Sequence, residues 1–208
     1  MRSLLWILFI GLMQAEANPL LLEQLPEGKL PANLKVIKVG PGVLGKVRVT
    51  TENVPHPTNG VTEKQRVLEI TGGDATASHY TLVLLNKPVY SNLSISTRFR
   101  IVGGEGVRAA GVIFRMQPNQ KDYYLLAVKP ETKEAFWTVF QDGLPVKGFK
   151  YDEEQFISPK DGWQSIKLQA EENPSRWTLN HRRDFITYNP KTTPDYRRGM
   201  VGFWVRSD

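Results

Sequence analysis

The sequence predicts an all-β domain in which two antiparallel sheets pack face to face. Three observations support this class. From Arg66 onward, apolar runs of five to nine residues recur with turn residues between them, no stretch sustains a helical period, and the runs give ten candidate strands. Ten strands in one domain indicate two stacked sheets of antiparallel strands.

The candidate strands follow one another along the chain. They are Arg66–Ile70, Tyr80–Leu85, Leu93–Val102, Ala109–Met116, Asp122–Lys129, Ala135–Gln141, Trp163–Ala170, Arg176–Asn180, Asp184–Thr187 and Met200–Arg206. Leu93 to Ile101 alternates most clearly, because four of its five odd-numbered residues are apolar and its even-numbered ones are Ser or Arg. We expect the odd-numbered residues to face the core and Ser94, Ser96, Arg98 and Arg100 to share the opposite face.

The stretch from Ala109 to Pro130 is predicted to form one β-hairpin with two chemically different faces. A turn over Gln117 to Lys121 pairs Phe114 with Tyr124 and Arg115 with Tyr123. One face is then apolar or aromatic: Ala110, Val112, Phe114, Tyr124, Leu126 and Val128. The other carries an aromatic and two cations among apolar residues: Ile113, Arg115, Tyr123, Leu125 and Lys129. We expect this second face to be an exposed surface.

The N-terminus predicts export. Arg2 precedes an apolar run from Leu4 to Met13, and Ala15-Glu16-Ala17 supplies small residues at the spacing that a signal peptidase reads, so residues 1–17 are predicted to be a secretory signal. The alternative is a membrane anchor, but an apolar run of about ten residues is well short of the roughly 20 that a span requires. Residues 18–60 are expected to be an extended entry segment with short strands, and residues 61–208 the sandwich.

Charge and cysteine content narrow the expected cellular location and partners of the protein. The chain contains no cysteine, so it has no disulfide framework and no site for bacterial lipid attachment. A secreted or periplasmic protein follows, with no transmembrane span once the signal is cleaved. The net charge is +6. Its clusters at Arg182-Arg183 and Arg197-Arg198 favour either anionic envelope polymers or a solvated surface. Nucleic acid is not expected as a partner, because no binding motif is present.

Five segments together resemble a known superfamily. The order GVIFR, KDYYLLAV, GWQSIKL, WTLNHRRDF and GMVGFWVRSD is similar to that of the concanavalin A-like lectin/glucanase superfamily, nearest to the bacterial exported 3-keto-disaccharide hydrolase-like domains, which resemble laminin G modules. The resemblance implies a jelly-roll sandwich of two curved antiparallel sheets whose concave face often handles carbohydrate.

The chain departs from this pattern at two places. Asn180-His181 stands at the turn of a second hairpin, from Arg176 to Thr187, where such domains usually have Asn-Gly. They also usually continue past Gly202-Phe203-Trp204 into one further strand that closes the sheet. Either the N-terminal segment supplies that strand, or an open edge remains that invites a partner strand.

Catalytic and metal-binding patterns are weak. Laminarinase-type members of the superfamily carry alternating acids of the form Glu-x-Asp-x-Glu on one strand, and nothing in the sequence fits that pattern. The acidic runs Asp152-Glu153-Glu154 and Glu131 with Glu134 are typical of solvated loops. His56, His79 and His181 are far apart in sequence, so no local metal site is predicted. Calcium would find only Asn119 and Asp122 in their loop, and a turn role is predicted for both.

The preferred hypothesis is therefore an exported carbohydrate-binding, lectin-like domain. Its candidate site residues are the cations and the tyrosine expected on a concave face: Arg98, Arg100, Arg115, Tyr123 and Lys129. Two alternatives stay open, a glycoside hydrolase resembling the 3-keto-disaccharide hydrolases and a laminin G-like protein-interaction module. No catalytic residue is assigned, and no cofactor is predicted. Trp137, Trp177 and Trp204 are expected in the core, and Trp163 over a strand end.

Overall fold

Fourteen strands build the fold. The computed structural model describes residues 4–8, 26–56, 59–71, 79–86, 89–103, 107–151, 162–171, 175–180, 182–186 and 196–207. The strands are β1 (Leu4–Leu8), β2 (Leu34–Val39), β3 (Lys46–Pro55), β4 (Thr62–Thr71), β5 (Tyr80–Leu85), β6 (Leu93–Ile101), β7 (Arg108–Met116), β8 (Tyr123–Lys129), β9 (Glu134–Gln141), β10 (Leu144–Tyr151), β11 (Gln164–Ala170), β12 (Arg176–Leu179), β13 (Arg182–Ile186) and β14 (Met200–Ser207). The described residues include no helix.

Two seven-stranded antiparallel sheets divide these strands. Sheet A has the order β13-β12-β11-β6-β1-β4-β3, and sheet B the order β10-β9-β8-β7-β14-β5-β2. The connections from β4 to β5, β5 to β6 and β6 to β7 each cross from one sheet to the other. This crossing pattern is that of a jelly roll, so the predicted fold class is confirmed. Among the residues that the structure describes, no helix is long and apolar enough to cross a membrane.

The core lies between the inner faces of the two sheets. One face of the predicted hairpin is fully inside it, from Ala110 and Val128 to Phe114 and Tyr124, whose rings stack with centroids 5.1 Å apart. The alternation predicted for β6 is also confirmed, because Leu93, Ile95, Thr97 and Phe99 are all buried. Trp137 and Trp177 lie in the same core, as predicted.

Many side chains on the outer face of sheet B are buried as well, which corrects the prediction for the hairpin's second face. Ile113, Tyr123 and Leu125 are buried in a second apolar cluster with residues of β5, β9 and β14, and only Lys129 keeps substantial exposure. The reason is lateral packing. Neighbouring strands contribute Leu82, Leu84, Phe140 and Trp204 to the same face. Trp204 is thus buried as predicted, but on the outer side of the sheet.

All ten predicted strands are present, with bounds shifted by a few residues. β10 was not predicted, because Pro145 and Gly148 interrupt its pattern. It is an edge strand of sheet B and carries a register shift between Pro145 and Lys147. Edge strands tolerate proline and bulges since one side of their backbone needs no ladder partner.

β1 comes from the segment predicted to be a secretory signal. Its backbone pairs antiparallel with β4 on one side and β6 on the other, in the interior of sheet A. β1 lies in sheet A, whereas Gly202-Phe203-Trp204 lies on β14 in sheet B, so β1 is not the closing strand that the resemblance implies. It inserts between two strands instead of closing an edge. Cleavage after residue 17 stays a prediction, and it would remove this strand.

Candidate functional site

A row of four residues crosses the outer face of sheet B with small residues at its centre. Trp204 on β14 pairs with Gly111 on β7, Gly111 pairs with Ala127 on β8, and Ala127 pairs with Phe136 on β9. A Cβ atom at Gly111 would lie 1.9 Å from the Leu126 carbonyl oxygen, so the close approach of β7 and β8 requires glycine. The row thus has aromatic side chains at both ends and a low floor between them.

The next row along the strands carries cations on both sides of the same floor. Arg206 lies between Tyr80 and Ala109, while Lys129 pairs with Glu134. The Arg206 Cζ atom lies 5.8 Å from the centroid of the Tyr80 ring, and the Lys129 Nζ atom lies 5.5 Å from that of Phe136. Arg206 and Lys129 are separated by β7 alone, a backbone separation of about 10 Å.

We refer to Tyr80, Ala109, Gly111, Ala127, Lys129, Phe136, Trp204 and Arg206 together as the sheet B outer surface. Tyr80, Phe136, Lys129 and Arg206 form its partly exposed rim, and the small residues its buried floor. Lys129 is held by an ion pair to Glu134 at 3.1 Å. The surface therefore presents two aromatic rings, each with a cation over it.

Trp204 lies beneath this rim. Its ring packs on Tyr80 with centroids 5.0 Å apart, and its side chain is almost fully buried. Within the described part of the chain, its Nε1 atom has no hydrogen-bond acceptor. A buried donor without an acceptor destabilises the fold by about 1–3 kcal/mol.

The five predicted site residues do not come together. Arg98 and Arg100 lie on β6 in sheet A, whereas Tyr123 and Lys129 lie on β8 in sheet B. The expectation that Arg98, Arg100 and Arg115 lie on one concave face is wrong, because β6 and β7 belong to different sheets. Alternation along a strand fixes its two faces but does not fix the sheet to which the strand belongs.

Arg98 and Arg100 instead cover Trp163 on the outer face of sheet A. Their Cζ atoms lie 5.5 and 5.2 Å from the centroid of its ring. Arg98 also donates to the carbonyl oxygen of Pro55, and Arg100 lies 3.8 Å from a carboxylate oxygen of Glu52. Both cations therefore take part in the packing around Trp163, which is buried near a strand end as predicted.

Arg115 does not share the face of Tyr123, which corrects the predicted pair. Its φ of 54° lies in the left-handed region, beside a register shift between β7 and β14. Such a bulge redirects the side chain at that position. Arg115 is 1% exposed, and its Nη2 atom donates to the Glu171 carbonyl oxygen beyond the end of β11 in sheet A. Arg115 thus connects the two sheets at one end of the sandwich.

Tyr123 is part of the packing beneath the surface. It is 2% exposed and stacks on Phe140 with centroids 4.5 Å apart and an interplanar angle of 13°. Burial raises the pKa of its hydroxyl, and the neighbouring Tyr80 raises it further. Of the five predicted residues, Lys129 is therefore the one that lies on the sheet B outer surface.

The acidic residues of the hairpin region have structural partners. Asn119 accepts hydrogen bonds from the backbone of Lys121 and Asp122, and Asp122 accepts one from the Asp142 backbone at 2.7 Å, so both residues have the predicted turn role. Glu131 forms an ion pair with Arg108. No group of three potential metal ligands is found in the part of the chain described. Asp152-Glu153-Glu154 and His181 lie outside the described residues.

Tyr80, Phe136, Trp204 and Arg206 were not predicted as site residues. The signal available for them was alternation, since Trp204 and Arg206 are two apart on β14. Their assembly depends on β14 lying between β7 and β5, a pairing between strands far apart in sequence. Only the three-dimensional register brings them onto one surface.

The fold is similar to two solved structures at low sequence identity. One is the carbohydrate binding module CBM66 from Bacillus subtilis, with a TM-score of 0.49, 18% identity, and coverage of 76% of this chain and 88% of that chain. The other is the Bacillus licheniformis beta-glucanase, with a TM-score of 0.48, 7% identity, and coverage of 95% of this chain and 85% of that chain. No protein-family model and no curated protein sequence matches the chain.

Proposed function

We propose that this protein is an exported carbohydrate-binding domain whose ligand lies on the sheet B outer surface. The observation that carries the proposal is the pair of cation–aromatic contacts, Arg206 over Tyr80 and Lys129 over Phe136, on either side of a floor of small residues. An aromatic plane with an adjacent hydrogen-bond donor is the combination that recognises sugars.

The chemistry of a sugar matches these groups. The apolar face of a pyranose ring stacks on an aromatic plane, and Tyr80 and Phe136 are the partly exposed rings of the surface. Arg206 and Lys129 donate to hydroxyl or carboxylate oxygens beside each ring. Because the two rings lie on strands four places apart in the sheet, about 19 Å between backbones, they suit separated residues of one oligosaccharide.

Two further features support a polar ligand. Among the described residues the Trp204 Nε1 donor has no acceptor, and a ligand oxygen that reached it would relieve that cost. The net charge of +6 favours glycans that carry acidic groups over neutral ones. Acidic and neutral glycans therefore belong in the same experiment.

Binding is favoured over hydrolysis on this surface. Glycoside hydrolysis requires two carboxyl groups about 5 to 10 Å apart, one of them available as an acid. Of the described residues at this end of sheet B, Glu134 pairs with Lys129 and Glu131 with Arg108. A protein-interaction module would present an apolar or open-edged surface. The rim of aromatic rings and cations therefore favours glycan binding over protein binding.

Export is the second part of the proposal. It is supported by the basic residue, apolar run and small-residue motif within residues 1–17, together with the absence of cysteine from the chain. A secreted or periplasmic location places the protein where extracellular polysaccharides occur. Mass spectrometry of the protein recovered outside the cytoplasm tests this part separately.

A glycan array probed with the wild type and three variants tests the site. Arg206→Ala and Tyr80→Ala alter the surface, and Arg176→Ala, an exposed cation on β12 of sheet A, is the matched control. Loss of a charged hydrogen bond predicts binding about tenfold weaker or worse for Arg206→Ala, and no change for the control. Absence of binding to every glycan contradicts the function, whereas equal binding by all variants contradicts only the site.

A further inference from the structure

The position of β1 has a consequence for the exported chain. β1 is hydrogen-bonded on both sides, to β4 through Leu4–Ile7 and to β6 through Leu5–Leu8. Because β1 is antiparallel to both neighbours, β4 and β6 run in the same direction. Removal of residues 1–17 would leave these two strands about 10 Å apart, twice the spacing of paired strands. Their facing backbone groups would then lack partners in the middle of the sheet.

We refer to the gap that β1 fills between β4 and β6 as the slot. The side of the slot that faces the core requires apolar residues. The register places Leu5 beside Ile70 and Ile101, and Ile7 beside Leu68 and Phe99. Leu68, Ile70 and Phe99 are buried members of the core, and Ile101 packs against it. Any strand that fills the slot therefore needs apolar residues at these two alternate positions.

The side of the slot that faces away from the core is lined by charged residues instead of apolar ones. Trp6 occupies the register position between Glu69 and Arg100. Glu69 is fully buried; its Oε2 atom accepts from Arg48 at 2.6 Å, but its Oε1 atom has no partner in the described structure. The buried Nε atom of Arg100 also lacks an acceptor there. The central position thus calls for a side chain with both a donor and an acceptor, and tryptophan, the residue type at position 6, has a donor but no acceptor.

We propose that the slot between β4 and β6 is a strand-acceptor site for a partner polypeptide once the signal has been removed. The inference rests on the proposed export. The occupant is an extended segment of at least five residues that runs antiparallel to both strands, with apolar residues at two alternate positions and a polar residue between them. Main-chain hydrogen bonds provide affinity, and the Glu69/Arg100 position provides selectivity.

Peptide binding to the processed chain, residues 18–208, tests the site. The first probe is a synthetic peptide of residues 2–9, RSLLWILF, and the second is the same peptide with Trp6→Gln, which has an acceptor as well as a donor. A third peptide with Ile7→Pro lacks a ladder donor. Fluorescence anisotropy is expected to rank the Gln peptide about tenfold or more above the first, with no binding by the Pro peptide. The full chain, whose slot is filled, is the matched control and should bind none of them.

A processed chain that fails to fold alone still permits the test, because the Gln peptide should then restore cooperative unfolding when present during refolding. The proposal is overturned if no peptide binds or rescues the processed chain, if the Pro peptide acts like the others, or if the exported protein retains residues 1–17. None of these results bears on glycan binding, so failure of this site and failure of the carbohydrate site are distinguishable.

Discussion

Substitution of Tyr123 separates a packing residue from a ligand-binding one. Tyr123→Ala removes a ring that is 2% exposed and stacked on Phe140 at 4.5 Å. Truncation of a buried aromatic lowers the free energy of unfolding by about 3–5 kcal/mol. For a chain of 208 residues, each kcal/mol shifts the melting temperature by about 2–4 °C, so a decrease of about 6–20 °C is expected.

The matched variant is Tyr123→Phe, which keeps the stacked ring and removes only the hydroxyl. Its expected loss is about 1 kcal/mol or less. Lys167→Ala, at an exposed position on β11, controls for surface effects and should change stability by no more than about 0.5 kcal/mol. Thermal and urea unfolding followed by circular dichroism measure all three. A Tyr123→Ala protein that melts at the wild-type temperature would refute the packing role, as would a Tyr123→Phe protein as unstable as the Ala variant.

Three further predictions concern stability. Burial raises the pKa of Tyr90, Tyr123 and Tyr196 above the usual 10.0, so the folded state binds their protons more tightly than the unfolded state does. The free energy of unfolding should therefore hold below pH 10 and fall as the pH rises further. The urea midpoint of Tyr123→Phe should fall less steeply with pH than that of the wild type. Gly111→Ala places a Cβ atom 1.9 Å from a backbone oxygen and is expected to cost about 1–3 kcal/mol or more; unchanged denaturant unfolding would contradict the close β7–β8 approach. Asn180 has a φ of 52° and accepts a hydrogen bond from the Ser165 backbone at 2.8 Å. Asn180→Gly should therefore lose only the side-chain hydrogen bonds, whereas Asn180→Ala should melt at a lower temperature still. The reverse order of melting temperatures would contradict this turn geometry.

Local features of the fold were predictable because they depend on residues close in sequence. The alternation of β6 and the Phe114–Tyr124 pair follow from the two-residue period of a strand and a short turn. The left-handed conformation of Asn180 likewise follows from its residue type.

Features set by distant pairing were not predictable in the same way. Arg98 and Arg115 were expected on the same concave face, but β6 and β7 belong to different sheets. Arg115 itself is redirected by a bulge that its sequence does not signal. Trp204 and Arg206 reach the sheet B outer surface because β14 inserts between β7 and β5, and β10 was missed because its edge position tolerates Pro145.

Chemical-shift mapping by NMR tests the central claim, that the sheet B outer surface binds carbohydrate, most directly. The labelled protein is titrated with the glycan that the array identifies, and the backbone amide shifts are followed. The account predicts that perturbations concentrate on β8, β9 and β14, around Lys129, Phe136 and Arg206, and that Arg206→Ala weakens the fitted affinity about tenfold. Perturbations confined to β6 and β11 of sheet A would contradict the claim.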